Sequence, residues 1–259
     1  MNLHFVKYQG TGNDFIMIDN RSGEWNKLAI SDIQKLCDRR FGIGADGLIK
    51  ISSTEGYDFE MDYYNSDGSK SFCGNGARCS VAFAHELGIL TNPVKFMAID
   101  GIHEAVKSNG LISLKMNDVS SICTSGEDYI LNTGSPHFIH FADDVSDFDI
   151  VAYGKEIRYS ERYQQEGINV NVVHQMDAAS FEIRTYERGV EDETLSCGTG
   201  VTAAALAFGE KNGISGEFEY KVKSQGGELS VKFTRNSKGF SDVWLIGPAV
   251  SVFKGNLNV

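Results

Sequence analysis

Two short stretches of this chain carry the same device. Cys73-Gly74-Asn75-Gly76 and Cys197-Gly198-Thr199-Gly200 share a Cys-Gly-x-Gly turn, and 197 − 73 places them 124 residues apart in a chain of 259. Each turn runs straight into an apolar, alanine-bearing segment. Ala77, Val81, Ala82, Ala84 and Leu87 follow the first, and VTAAALAF (201–208) follows the second. The pattern predicts a turn feeding a helix N-terminus, with a thiol at the junction. Backbone N–H groups there lack intrahelical partners and carry positive partial charge. They can receive a carboxylate and lower the pKa of an adjacent thiol. One such Cys is most simply a small buried hydrophobe. Two in the same glycine frame, each with a helix behind it, argue for two related units with a shared task. The flanking glycines let a ligand approach the backbone closely.

Composition narrows the class. A net charge of −11 argues against a nucleic-acid or anionic-membrane surface. The start, MNLHFVKYQG, has no apolar signal core, and no apolar run is long enough to span a bilayer. Five Cys without framework spacing fit a reducing compartment, so a cytoplasmic location is expected. Cys37, Cys79 and Cys123 lack the glycine frame and read as structural. No Cys-x-x-Cys pair or His-rich cluster is present, so a metal is not expected. A homodimer is the expected assembly, although no stretch of sequence specifies its interface.

Along the chain, residues 3–8 alternate as a strand. Gly10-Thr11-Gly12-Asn13-Asp14 is a turn, and 15–19 is a strand leaving it. Ser31 is expected to cap a helix through about Arg39. A glycine loop (41–47) precedes a strand at 48–51, and a further strand at 59–64 ends in Asn65-Ser66-Asp67-Gly68. Strands are expected at 94–99, 103–107 and 111–116, then a polar joint at 118–126. The second half restarts with a strand at 129–132, a turn over 133–138, a helix near 150–159 and a strand within 167–173. A strand at 181–186 ends at Glu187-Arg188-Gly189. After the second Cys turn, strands are expected at 218–223, 228–233 and 241–247, with a last one within 250–259. Tyr64-Asn65 and Gly47 fall opposite Tyr186-Glu187 and Asn169 at an offset of 122 (186 − 64, 169 − 47). A repeat of this length predicts an α+β fold of two pseudo-symmetric units. Each would be a curved, mostly antiparallel sheet around a central helix, with an active-site cleft between them. The polar stretch puts the expected break between 118 and 119.

Two thiols at two helix starts suit inversion of an amino-acid stereocentre. The N–H groups of Gly74, Asn75, Gly198 and Thr199 would take the α-carboxylate and hold it more tightly as negative charge grows. Cys73 and Cys197 would then stand on opposite faces of the α-carbon, one removing a proton and one supplying it. A single base would return its proton to the face it came from. Thiols titrate nearer neutrality than Lys or Tyr, so one charged and one neutral Cys can coexist.

Seven motifs carry a further likeness. They are Gly12-Asn13-Asp14-Phe15, Gly42-Ile43-Gly44-Ala45-Asp46-Gly47, Asn65-Ser66-Asp67-Gly68, Cys73-Gly74-Asn75-Gly76-Ala77-Arg78-Cys79, Gly134-Ser135-Pro136-His137, Tyr186-Glu187-Arg188-Gly189 and Cys197-Gly198-Thr199-Gly200. Over nearly its whole length the sequence resembles the diaminopimelate epimerases, cofactor-independent enzymes of lysine and cell-wall precursor synthesis. The resemblance implies interconversion of LL- and meso-2,6-diaminopimelate, with Cys73 and Cys197 as the acid–base pair. It further implies that Asn13, Asn65, Asn169, Glu187 and Arg188 bind substrate and that His137 and Glu187 support the thiols. The family fold returns its last strand to the first unit, which implies a division into 1–118 with 249–259, and 119–248. Arg188 suits a distal carboxylate, while Glu187 and the Asn amides suit an ammonium group. The chain departs from the family at three places. Ser135 and Gly47 stand where many or some members have Asn and Gln, and the 65–73 segment is one residue shorter. Rival readings are a proline or hydroxyproline racemase, a non-catalytic amino-acid-binding protein, and an isomerase of the same fold without a Cys pair.

Overall fold

The computed structural model describes residues 2–258. The chain divides into two compact units. One runs to Leu114 and takes back the chain from Gly247, and the other is Lys115–Ile246.

The first unit begins with β1 (Asn2–Gly10) and β2 (Asn13–Asp19), then a 3-10 turn (Glu24–Lys27) and α1 (Ile30–Cys37). It continues through β3 (Gly47–Ser52), β4 (Phe59–Asn65), α2 (Gly74–Glu86), β5 (Val94–Ala98), β6 (Gly101–Ser108) and β7 (Leu111–Lys115). Pairs β1–β2, β3–β4, β5–β6 and β6–β7 are antiparallel, whereas β2–β3 and β4–β5 are parallel. Every residue of α2 from Gly74 to Ala84 is buried. A helix buried on all faces is a core, not a surface stripe, and α2 packs on β1, β2, β3, β4 and β6. Gly76 makes that approach possible, since a Cβ there would lie 3.0 Å from Ile49 Cδ1.

The second unit repeats the plan. It comprises β8 (Cys123–Ser125), β9 (Asp128–Asn132), β10 (Pro136–Phe141), α3 (Ile150–Arg158), β11 (Asn169–Gln175) and β12 (Ser180–Glu187). Then come β13 (Asp192–Thr194), α4 (Gly198–Lys211), β14 (Gly216–Ser224), β15 (Gly227–Asn236) and β16 (Gly239–Pro248). Antiparallel β9–β10, parallel β10–β11, antiparallel β11–β12 and parallel β12–β14 match β1–β2, β2–β3, β3–β4 and β4–β5 in turn. Residues 200–209 of α4 are all buried, against β9, β10, β11, β12, β14 and β15. The fold class is thus α+β, two units each with a mostly antiparallel sheet around a buried helix. The outer helices seal smaller clusters. Ile33, Leu36 and Cys37 of α1 join Trp25 and Ile18, and Ile150 of α3 joins Phe138 and Tyr186. The last strand, β17 (Val250–Asn258), pairs antiparallel with β1 from Asn2↔Asn258 to Gln9↔Val250.

Several expectations need correction. The cap of α1 is Ala29, not Ser31, and its N–H is taken by Asp32 Oδ2 at 3.2 Å. Asp three residues past the cap is the signal that outweighed the hydroxyl. The turn read over 133–138 ends at Ser135, and Pro136 opens a strand, a position where its missing N–H costs nothing. Cys123 is exposed on β8 and is not a packing residue. Cys37 and Cys79 are buried, and burial pushes their thiols up to about 11 and about 12, so both stay protonated.

Candidate active site

In the first unit the site is built on a two-residue hairpin. Gly10 pairs with Asn13, and both turn residues have positive φ, 51° at Thr11 and 85° at Gly12. That is the turn whose twist suits a β-hairpin. A β-branched residue at positive φ is strained. The Thr11 hydroxyl accepts a hydrogen bond from Arg78 Nη2 at 3.2 Å, which holds the turn against α2. Arg78 is fully buried, and its Nη1 has no hydrogen-bond partner among the described residues.

The hairpin presents Asn13, whose orientation is fixed from behind. Asn13 Nδ2 donates to Asp46 Oδ2 at 2.6 Å, so Oδ1 faces the other way. There it accepts from Cys73 Sγ at 3.4 Å and from Asn75 Nδ2 at 3.4 Å. Asp46 is tied to Arg39, which also bridges Asp14. Lys7 pairs with Asp14 at 2.6 Å and donates to the Gly44 carbonyl. Burial alone would raise the Asp14 pKa, but Arg39 and Lys7 outweigh it and hold the carboxyl well below its usual range.

Cys73 is the N-cap of α2, in extended backbone (φ −134°, ψ 116°). The first intrahelical bond is Ala77 N to Cys73 O, so the N–H groups of Gly74, Asn75 and Gly76 have no partner within the helix. Asn65 braces the segment leading in. Its Nδ2 donates to Ser69 Oγ and Ser71 Oγ at 3.0 and 3.1 Å, and its Oδ1 accepts from Tyr63 Oη at 2.9 Å. Gly47 lies opposite Asn65 in the β3–β4 register. A Cβ there would fall 2.4 Å from Tyr63 Cε2, so Tyr63 fills the room that a side chain would need.

In the second unit Cys197 is the N-cap of α4, again extended (φ −109°, ψ 111°), and Val201 N to Cys197 O is the first helical bond. Its Sγ lies 3.5 Å from Thr199 Oγ1, and that hydroxyl lies 2.9 Å from His137 Nε2. His137 is fully buried. Burial, aided by the Arg188 charge, pushes its pKa down to about 3, so the ring is neutral near pH 7. Its Nδ1 is 3.1 Å from Asn171 Nδ2. Asn169 spends its amide locally, with Nδ2 to Ser135 Oγ and the Pro136 carbonyl, while Oδ1 takes the Arg188 N–H at 2.9 Å. Arg188 is exposed and donates to the Glu166 carbonyl at 2.7 Å and to Ser135 Oγ at 3.4 Å. Ser135 therefore serves both Asn169 and Arg188 directly. Glu187, half-buried, accepts from Thr194 Oγ1 at 2.9 Å.

Each unit thus gathers its own expected residues. Asn13, Asn65, Gly74 and Asn75 collect around Cys73, and His137, Asn169, Glu187, Arg188, Gly198 and Thr199 collect around Cys197. The sequence reading missed the supports: Asp46 and Arg39 behind Asn13, Tyr63 behind Asn65, and Asn171 behind His137. Asn171 had a signal, since it lies two residues from Asn169 and so on the same strand face.

Comparison with known proteins follows the same lines. The family model described as Diaminopimelate epimerase matches residues 5–120 and 129–252. A diaminopimelate epimerase of Flavobacterium psychrophilum is 53% identical, over 97% of this chain and 99% of the relative. One of Aquifex aeolicus is 38% identical, over 99% and 98%. Among solved structures, a Bacillus anthracis phenazine biosynthesis protein of the PhzF family superposes with TM-score 0.75 at 15% identity, covering 100% of both chains. A probable proline racemase from Agrobacterium radiobacter K84 gives 0.68 at 12%, covering 99% and 93%. At such identities these two speak for the fold alone.

Proposed function

The chain belongs to the diaminopimelate epimerase family, and from that we propose that it interconverts LL- and meso-2,6-diaminopimelate with Cys73 and Cys197 as its acid–base pair. The observation that carries this is the matched placement of the sulfurs, each at the extended N-cap of a buried helix. The scheme takes one sulfur from each unit. One thiolate removes the α-proton, the other thiol donates to the opposite face, and the two sulfurs exchange charge states. The N–H groups of Gly74, Asn75, Gly198 and Thr199 take the α-carboxylate, and their hold tightens as charge moves onto it during deprotonation.

Asn13, Asn65, Asn169, Glu187 and Arg188 are the proposed recognition groups. Arg188 has the fork that a distal carboxylate needs, and Glu187 offers an acceptor for an ammonium. His137 and Glu187 support the thiols. No helix of the described residues is long and apolar enough to cross a membrane, and we place the reaction in the cytoplasm.

The reading also carries a homodimer. Its support is β17, whose Val250, Val252, Phe253 and Leu257 are 45, 56, 48 and 39% exposed. A strand at a sheet edge that leaves apolar side chains in solvent is a template for pairing with a second copy.

The deciding assay is turnover of LL-diaminopimelate in deuterated water. Epimerisation with deuterium at the α-carbon is expected. Cys73→Ala and Cys197→Ala should each lower the rate by at least about 10²-fold, the usual worth of a general acid or base. Wild-type turnover in either variant removes the two-base scheme, and activity on proline alone removes the substrate.

A further inference from the structure

We infer that Asn171 and the Thr199 hydroxyl form a hydrogen-bond relay of fixed direction that ends on the Cys197 sulfur and stabilises its thiolate. This rests on the reading of Cys197 as one of the two reacting sulfurs.

The direction follows from donor and acceptor bookkeeping. Asn171 Nδ2 lies 3.1 Å from the Phe138 backbone carbonyl, which can only accept. Its Oδ1 lies 2.9 Å from Thr185 Oγ1. The amide is therefore oriented with its two N–H bonds toward Phe138 O and His137 Nδ1. Nδ1 must accept, so the proton of the neutral ring sits on Nε2. Nε2–H then donates to Thr199 Oγ1. Thr199 Oγ1 accepts there, which leaves its own O–H to point at Cys197 Sγ, 3.5 Å away, and a thiolate at that position can only accept. A sulfur that receives a donor is favoured as the thiolate.

The relay has no room to invert. Asn171 and His137 are both fully buried, and Gly200 leaves the amide its place, since a Cβ there would lie 2.5 Å from Asn171 Oδ1. The charged groups nearby are Arg188, whose field adds to the burial that keeps His137 neutral, and Glu187, which takes the Thr194 hydroxyl. Cys73 is served differently. Its hydrogen-bond partner Asn13 Oδ1 is an acceptor, fixed that way by Asp46. Asn171 acts through His137 and Thr199 and is a positioning residue, whereas the Thr199 hydroxyl meets the reacting sulfur itself. His137 takes no proton in this scheme.

The test uses the full-length protein and needs no substrate. Iodoacetamide alkylation of Cys197, followed by peptide mass mapping across pH, gives the titration midpoint of that thiol. Thr199→Val should raise the midpoint by about one pH unit, the worth of one hydrogen bond to a charged group. Thr199→Ser should leave it in place, and Cys73 should not move in either. Nitrogen-15 NMR of the histidines should show His137 neutral with its proton on Nε2. Asn171→Asp supplies an acceptor instead of a donor, so the proton should move to Nδ1 and the Cys197 midpoint should rise. A His137 proton on Nδ1 in the wild type overturns the relay, and so does a folded Thr199→Val with an unmoved Cys197 midpoint. If Asn171→Asp fails to fold, the Thr199 pair and the wild-type spectrum still decide. Should wild-type protein show the relay yet leave LL-diaminopimelate unchanged, the functional reading fails while the relay stands.

Discussion

At the scale of single residues, the site depends on side chains that never need to touch substrate. His137 is the clearest case for a pH effect. In the unfolded chain it titrates near its ordinary value of about 6.5, whereas in the fold burial and Arg188 hold it at about 3. The unfolded chain therefore binds more protons throughout that interval. Stability is fully present above about pH 6.5 and is lost as pH falls toward 3. Urea unfolding at pH 7 and pH 5 should differ by about 2 kcal/mol from this residue alone. In a folded His137→Asn variant that part of the slope should vanish; an unchanged slope would mean that other groups set the acid limb. Asn13 and Asn65 show why such roles are hard to see in a sequence. An Asn in a glycine turn reads as a turn residue, and only the carboxylate of Asp46, 33 positions on, reveals which way its amide points.

At the scale of elements, the sequence was most legible where period and punctuation agreed. The Cys-Gly-x-Gly turns with their apolar runs became α2 and α4, and the alternating stretch before Gly10 and the apolar run before Asp19 became β1 and β2. It was least legible where one residue type argued against its neighbours. Pro136 suppressed β10, and the three-residue strands β8 and β13 are too short to show a period. The outer helix α3 shows a local rule operating as written. Its cap Asp149 accepts the Ala152 N–H at 3.0 Å. Asp149→Ala should cost about 1 kcal/mol, read as a shift in the urea midpoint at constant slope. A loss near zero would show that burial of Ile150 in its cluster, not the cap, fixes where α3 begins.

At the scale of the whole molecule, the repeat seen as matching turns is a repeat of pairing pattern, with parallel and antiparallel pairs falling in the same order in both units. What no local pattern announced is the use of β17. Four of its residues, Val250, Val252, Phe253 and Leu257, are apolar and yet exposed, and Phe253, which meets Phe5 edge-on at 5.9 Å between ring centres, stays half exposed. Phe253→Asp should leave the fold intact and shift sedimentation velocity at tens of micromolar from dimer to monomer; a wild-type protein that sediments as a monomer there removes the homodimer. The return of β17 to β1 has one more effect, on the order of events during synthesis. β1 is synthesised before the second unit and β17 after it. The β1 edge that β17 covers therefore waits, unpaired on that side, while the whole second unit is translated.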